Sequence, residues 1–585
     1  MRLPFPLQEI YDESENPYTA DLVLPSLLRR LLPSSIRQEV EHDITRLGTY
    51  IVDDAFLLYL SSCDYDQWER RVDQLHTSEA WRKIEELAIR EGFVSIAYER
   101  KYNEYSRRYS FVKVMTMTGD CHVVLCSLGH VLYAGIELSG TDEMKQQLLP
   151  RLISHDPSIA YLSGQWMTER PGGSDISQTE TTAVPTSPTQ TDLGTPCVLN
   201  GFKWFSSAAE SNMAVALARM GTPQQGSRGL SLFAVPLRHA QHPTPLSNGV
   251  KIHRLKQKLG AHGVPTAELE LEGTRAWLLG QPEESVKAIV TVLGITRMHS
   301  AVHSVGSLQG CLAIARSYAR VRAIEGGKGK LCDVPLYVTA LAEVSLLHQA
   351  LTHVTFRMVV LLGWTQCGIA SEDEERRLRL LTLAIKGYAA VRCPTVMEEC
   401  MGSLGGLGYM EEVGIGRLIK DSLVERIWEG TVNILALDLV RATKDAKTIE
   451  SYMKWAQALL PRAIGETSTE ISPAAIGTLA GLVEQLPPLF TQNATNPLIA
   501  RSVLNLFASV SCALFLLGRA AWAVRNGEAT KEVDIEAFRR WVEEGDMEGD
   551  LRGIAALQKE WRRRAELDLK MVYGAGGSAG VGSKL

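Results

Sequence analysis

The chain has 585 residues, too many for one hydrophobic core and enough for roughly three or four domains. Hydrophobic residues make up 45% and charged residues 22%, ordinary proportions for a globular protein. A net charge of −6 argues against a chain built mainly to hold nucleic acid.

The start, "MRLPFPLQEIYDESENP", turns acidic too soon for a secretory signal or a transit peptide. Residues 1–158 then read mostly as helix. In "SEAWRKIEELAIREGF" Ser78 precedes Glu79 in the first turn, and apolar residues recur at helical spacing. "MTGDCHVVLCSLGHVLYAGIEL" is nearly continuous apolar sequence, as in a buried bundle helix, and "GTDEMKQQLLPRLIS" is a short amphipathic helix. Near residue 160 the period changes. "CVLNGFKWFSS", "NMAVALARM", "GLSLFAVPL" and "AELELEG" are short runs rich in β-formers, separated by clusters such as "PTSPTQTDLGTP". They predict a β domain over 159–285.

The helical period returns over 286–450, in "VKAIVTVLGITRMHSAVHSVGSLQGCLAIARSYARVRA" and "LYVTALAEVSLLHQALTHVTFRMVVLL". A last helical region, 451–585, carries proline-containing breaks at "LLPRA", "QLPPLF" and "TNPL". The fold class is therefore α+β, mostly α, with segregated domains. No uninterrupted apolar run reaches about 18 residues, so no membrane-spanning helix is expected. The ten cysteines are scattered singly, giving neither a zinc frame nor a disulfide scaffold, and no metal site is expected. Cys121 and Cys126 could pair but read better as small buried hydrophobes. Ser583-Lys584-Leu585 matches a peroxisomal address, which implies an import receptor as partner.

Three stretches suggest chemistry. "MTERPGGSDIS" (167–177) combines turn-forming glycines with the hydroxyls of Thr168 and Ser174, and could cradle a pyrophosphate or a ring edge; a solvated Pro-Gly-Gly turn is the plainer reading. "GFKWFSS" (201–207) places two aromatics and two hydroxyls on a strand, where core packing alone would explain them. "MGSLGGLGY" (401–409) is not a dinucleotide fingerprint, and Gly405 and Gly406 indicate close backbone approach, either to another backbone or to a ligand.

These stretches, with "KLG" (258–260), "LGITR" (293–297), "SYARVRA" (317–323) and "IWEGT" (427–431), occur in an order that resembles the acyl-CoA dehydrogenase superfamily. The chain is most similar to its AidB-like branch, given "KWF", "WLLG" (277–280), a tryptophan before the glutamate and an extra C-terminal helical region. The resemblance implies a helical N-terminal domain, a middle β domain and a helix bundle, FAD as cofactor, an acyl-CoA substrate, and a homotetramer or homodimer. It implies that Met167, Thr168 and Ser174 form a flavin loop, that Phe205 packs on the flavin ring, and that Ser207 lies at its reactive edge. Thr431 and Asn433 would be further flavin contacts. Glu429 would be the catalytic base, Arg297 would lie near substrate and base, and Arg322 would reach a neighbour's cofactor phosphates. Gly405 and Gly406 would also approach that cofactor. Glu325 and Gly402 stand where relatives often carry an aromatic and a glutamine.

Desaturating a thioester removes an α-proton and a β-hydride, so the protein must supply a base beside the hydride acceptor. Trp428 would give Glu429 an apolar wall that favours its protonated form, and Gly430 would leave clearance for the thioester. A peroxisomal member could be reoxidised by oxygen. The rival readings are an AidB-like DNA-binding or protective flavoprotein and a dehydrogenase or oxidase of a non-CoA metabolite. Against DNA binding, acidic and basic residues balance in 451–585, and "VEEGDMEGD" flanks its basic cluster.

Overall fold

The computed structural model describes residues 16–51, 79–118, 124–187, 191–238, 246–282, 285–467, 470–493 and 496–574. Ser78, Cys121 and Ser583-Lys584-Leu585, and the side chain of Cys126, lie outside the described residues. The chain divides into two compact units, Met1–Leu341 with Cys393–Glu425, and Ala342–Arg392 with Arg426–Leu585.

The first unit opens with helices α1 (Leu24–Leu31), α2 (Ser34–Ile51), α3 (Glu79–Arg90), α4 (Ser106–Thr118), α5 (Val124–Ser139) and α6 (Asp142–Leu152). The Thr141 hydroxyl caps α6 by accepting from the Met144 N–H at 3.2 Å, and Asp142 and Glu143 add charge that suits the positive end of the helix. Every residue of α4 is buried, which requires Lys113 to be paired, and its ammonium meets Asp43 and Glu91 at 2.8 and 2.9 Å.

Seven strands follow: β1 (Ser163–Trp166), β2 (Thr182–Pro185), β3 (Pro196–Ser207), β4 (Met213–Arg219), β5 (Leu230–Pro236), β6 (Val250–Leu255) and β7 (Thr266–Leu279). The path β4–β2–β3–β7–β5 closes back on β4, with β1 parallel to β4 and β6 antiparallel to β7. Closure around Trp166, Leu199, Ala216, Phe233 and Leu269 buries both faces of β4, so "MAVALAR" shows no alternation. Sequence reading missed β6, whose "VKIHRL" is half-exposed and loses its alternation at a register shift between Ile252 and Arg254.

α7 (Ser285–Val321) packs on α4 and α5, and a short hairpin of two-residue strands, β8 (Ala323–Ile324) with β9 (Gly329–Lys330), follows it. α8 (Pro335–Gln366) and α9 (Glu372–Ser403) each contribute residues to both units, and α10 (Ile415–Ser422) belongs to the first.

The second unit adds α11 (Val432–Ala442), α12 (Ala446–Thr467), α13 (Pro473–Asn493), α14 (Ala500–Asn526), α15 (Lys531–Glu543), α16 (Met547–Gln558) and α17 (Trp561–Tyr573). α14 is its core, flanked by α11, α12, α13, α15 and α16. Two of the three expected proline breaks are corrected here. Pro461 lies inside α12, and Pro487 and Pro488 lie inside α13. A proline costs a helix one hydrogen bond, but packing of both helices on α14 outweighs that local loss. Only the break at "TNPL" ends a helix. Two helical segments, Pro335–Gln366 and Pro497–Asn526, are long and apolar enough to cross a membrane by length and composition, and their apolar windows are mostly buried in the protein.

Candidate functional site

Motifs far apart in sequence meet around β3. The Lys203 ammonium is fully buried, pairs with the Glu169 carboxylate and donates to the Leu217 carbonyl at 2.7 Å. Glu169 also accepts from the N–H groups of Glu180 and Thr181, at 2.6 and 3.2 Å. Burial pushes its carboxyl up, but the Lys203 ammonium above all, with these bonds, holds it below the ordinary range. The Trp204 N–H donates to the Thr168 carbonyl at 3.0 Å, and the Trp166 indole donates to the Ser207 carbonyl at 3.2 Å. "MTERPGGSD" and "GFKWFSS" are thus one substructure, bringing together Met167, Thr168, Phe205 and Ser207. Gly172 is obligatory, since a Cβ there would lie 2.4 Å from the Asp175 carbonyl oxygen.

The donor set fits a flat heteroaromatic group. Phe205 is 52% exposed, an apolar ring left open beside half-buried Met167, Thr168 and Ser207. The register shift between Lys203 and Ser206 turns Phe205 outward while Ser206 stays buried. The Ser207 hydroxyl lies 3.1 Å from that of Thr266, and the Lys256 ammonium stands 4.8 Å from the Phe205 ring centre. Ser174 is exposed on the same loop. These residues could hold the ring of a flavin.

"KLG" also proves to have a partner, "RLIKD" (417–421), which spans most of α10. A Cβ on Gly260 would come within 2.4 Å of the Lys420 carbonyl oxygen, and the Ala261 N–H donates to Asp421. In "GGLGY", Gly405 has φ +64°, while Gly406 has no neighbour within 4 Å of a built Cβ among the described residues. Close backbone approach falls instead on Gly408, whose Cβ would lie 2.0 Å from the Met401 carbonyl oxygen. Gly405 and Gly406 are exposed, as is Arg322 just beyond α7. Arg297 is half-buried on α7, away from the β3 cluster in sequence and element. Further along α7, Ser300 donates to the Glu425 carboxylate and His303 lies 3.6 Å from it.

In the second unit Trp428, Glu429 and Gly430 are half-buried. Glu429 has φ +55° and Gly430 φ +101°. Thr431 caps α11 by accepting from the Ile434 N–H at 3.5 Å, and Asn433 is exposed in the first turn. Two cations bind this segment to α9. Lys386 donates to the carbonyls of Trp428 and Gly430, at 2.6 and 2.8 Å, and Arg426 donates to those of Ala390 and Val391, both at 3.1 Å. Sequence reading missed Lys386. Its signal was a single cation within the otherwise apolar "LTLAIKGYAA".

Comparison with known proteins matches residues 164–274 to the acyl-CoA dehydrogenase middle domain and residues 286–444 to the acyl-CoA dehydrogenase C-terminal domain. The Caenorhabditis elegans acyl-CoA dehydrogenase family member 11 is 35% identical over 473 residues, covering 78% of this chain and 74% of the relative. The putative acyl-CoA dehydrogenase AidB of Escherichia coli is 32% identical over 394 residues, covering 64% of this chain and 68% of the relative. The crystal structure of Caenorhabditis elegans ACDH-11 in complex with C11-CoA superposes with a TM-score of 0.85 at 29% identity, covering 97% of this chain and 96% of that one. The chain therefore belongs to the acyl-CoA dehydrogenase family of oxidoreductases, with AidB among its relatives.

Proposed function

We propose that this chain catalyses the FAD-dependent α,β-dehydrogenation of an acyl-CoA thioester, with Glu429 as the base. The observation that carries this reading is the carboxylate at 429, set in a left-handed backbone between Trp428 and Gly430 and tied through its neighbours to α9. Bound flavin supplies the acceptor for the hydride leaving the β-carbon. Glu429 takes the α-proton, Trp428 limits water beside the carboxylate, and Gly430 adds no side chain in front of it. Phe205 offers its open face to the cofactor ring, with Met167, Thr168, Ser174 and Ser207 as polar and backbone contacts. Thr431, Asn433, Arg322, Gly405 and Gly406 are further proposed cofactor contacts, and Arg297 a proposed substrate contact.

Anaerobic addition of straight, branched and aromatic acyl-CoAs to the flavin-loaded protein should bleach the visible flavin band with at least one of them. Glu429→Gln should abolish the bleaching while leaving flavin bound. A relative solved with C11-CoA supports medium to long chains as the first to try. If no acyl-CoA bleaches the flavin, the substrate belongs to another class. Ser583-Lys584-Leu585, as a carboxyl terminus, supports peroxisomal import, and removing Leu585 should leave the protein in the cytosol of transfected cells. Direct reoxidation by oxygen would suit that compartment, and admitting air to the bleached enzyme tests it. DNA binding has less support: Arg563 and Arg564 lie 3.4 and 4.0 Å from Glu560 and Asp568, and Arg562 lies over Trp561.

A further inference from the structure

Glutamate rarely adopts the backbone conformation of residue 429. A left-handed φ at a residue with a Cβ is strained, so its surroundings must hold it there. The fully buried Lys386 does this directly. The two carbonyls it binds belong to Trp428 and Gly430, the residues on either side of Glu429. Bringing both carbonyls to one ammonium makes the chain turn at the residue between them. Hydrogen bonds from a charged donor are stronger than neutral ones, and two of them act here against the strain.

The anchor itself has little freedom. Gly387 lets α9 pack so closely that a Cβ there would stand 3.2 Å from Leu504 of α14 and 3.6 Å from Leu435 of α11. Arg426 fixes the other end of the segment to α9, one turn further on. Position 429 is therefore held to one packed helix by two cations, Lys386 reaching out from α9 and Arg426 reaching back to it.

We infer that Lys386 is a positioning residue for Glu429, setting the direction of its carboxylate by fixing the peptide groups on both sides. This inference rests on the reading of Glu429 as the base. A lysine that only stapled the segment to α9 would affect stability and leave proton removal from bound substrate unchanged.

The test uses the flavin-loaded full chain and a 3-thia-acyl-CoA, which offers an α-proton but has sulfur in place of the β-carbon and so no hydride to give. Exchange of its α-hydrogen with solvent deuterium is followed by mass spectrometry, alongside flavin content, analogue affinity and melting temperature. Lys386→Met is expected to slow exchange about 100-fold, the scale of an ångström-sized misplacement, with flavin content and analogue affinity kept. Lys386→Arg, which keeps the donors, should recover part of the rate. If Glu429→Gln exchanges as fast as wild type, the base reading itself fails. If Glu429→Gln is inert and Lys386→Met exchanges at the wild-type rate, the inference is overturned and the base reading stands. Should Lys386→Met not fold, Lys386→Gln, with a shorter and uncharged donor group, is measured instead and should be slower than wild type. Failure of both to fold would assign Lys386 to the fold and also overturn the inference.

Discussion

Glu210, just past β3, links the fold to pH. It is 2% exposed, and its carboxyl is pushed up to about 8, first by burial, with the nearby Glu85 adding to the effect and Arg238 and Lys258 opposing it. Burial likewise pushes Glu85 up to about 7. Both native pKa values lie above those of an unfolded chain, so the native state holds protons that the unfolded state releases. Their contribution is fully present below the ordinary glutamate range and is lost as pH rises through about 7 and 8. Melting temperature should accordingly fall between about pH 5 and pH 8.5, and Glu210→Gln should flatten that slope. An unchanged slope in the variant would place the titration elsewhere. At this scale the family motifs were legible. Lys203 was visible only as part of "KWF", and Lys386 only as a lone cation in an apolar run. Each is a lone buried cation whose partners lie far away in sequence, and helical or strand periodicity carries no record of them.

Among the elements, "KLG" and "RLIKD" show how two short stretches far apart in sequence depend on each other. The Gly260 backbone lies against the Lys420 carbonyl, and Asp421 accepts from the next N–H. Gly260→Ala has no flexible side-chain end to push aside, so it should destabilise the protein by about 1–3 kcal/mol, read as a lower denaturation midpoint. Most elements were legible because hydrophobic period changes where helix gives way to strand. The errors share one cause. A proline inside a helix and a half-exposed strand such as β6 are decided by packing partners, and local sequence holds only half of that information.

For the whole molecule, the order helical, β, helical could be read from the chain. The sharing of α8 and α9 between two compact units could not, because the helical period runs unbroken through Leu341 and Arg392. Large apolar side chains remain open: Leu336 is 82% exposed, Tyr409 79% and Met571 83%. Self-association would cover such residues. We expect light scattering after size exclusion to give a mass above that of one chain, and Tyr409→Lys with Leu336→Glu to lower it if the first unit forms the contact. A monomeric wild type would sink that expectation.

The Glu169–Lys203 pair has a direction. Glu169 accepts from two backbone N–H groups besides the ammonium, and Lys203 donates to a backbone carbonyl. Exchanging the two residues would keep the net charge and the attraction, yet it would set a donor against donors at one end and an acceptor against an acceptor at the other. A library that randomises both positions should therefore return the original polarity and never its mirror image, even though a count of charges cannot tell the two apart.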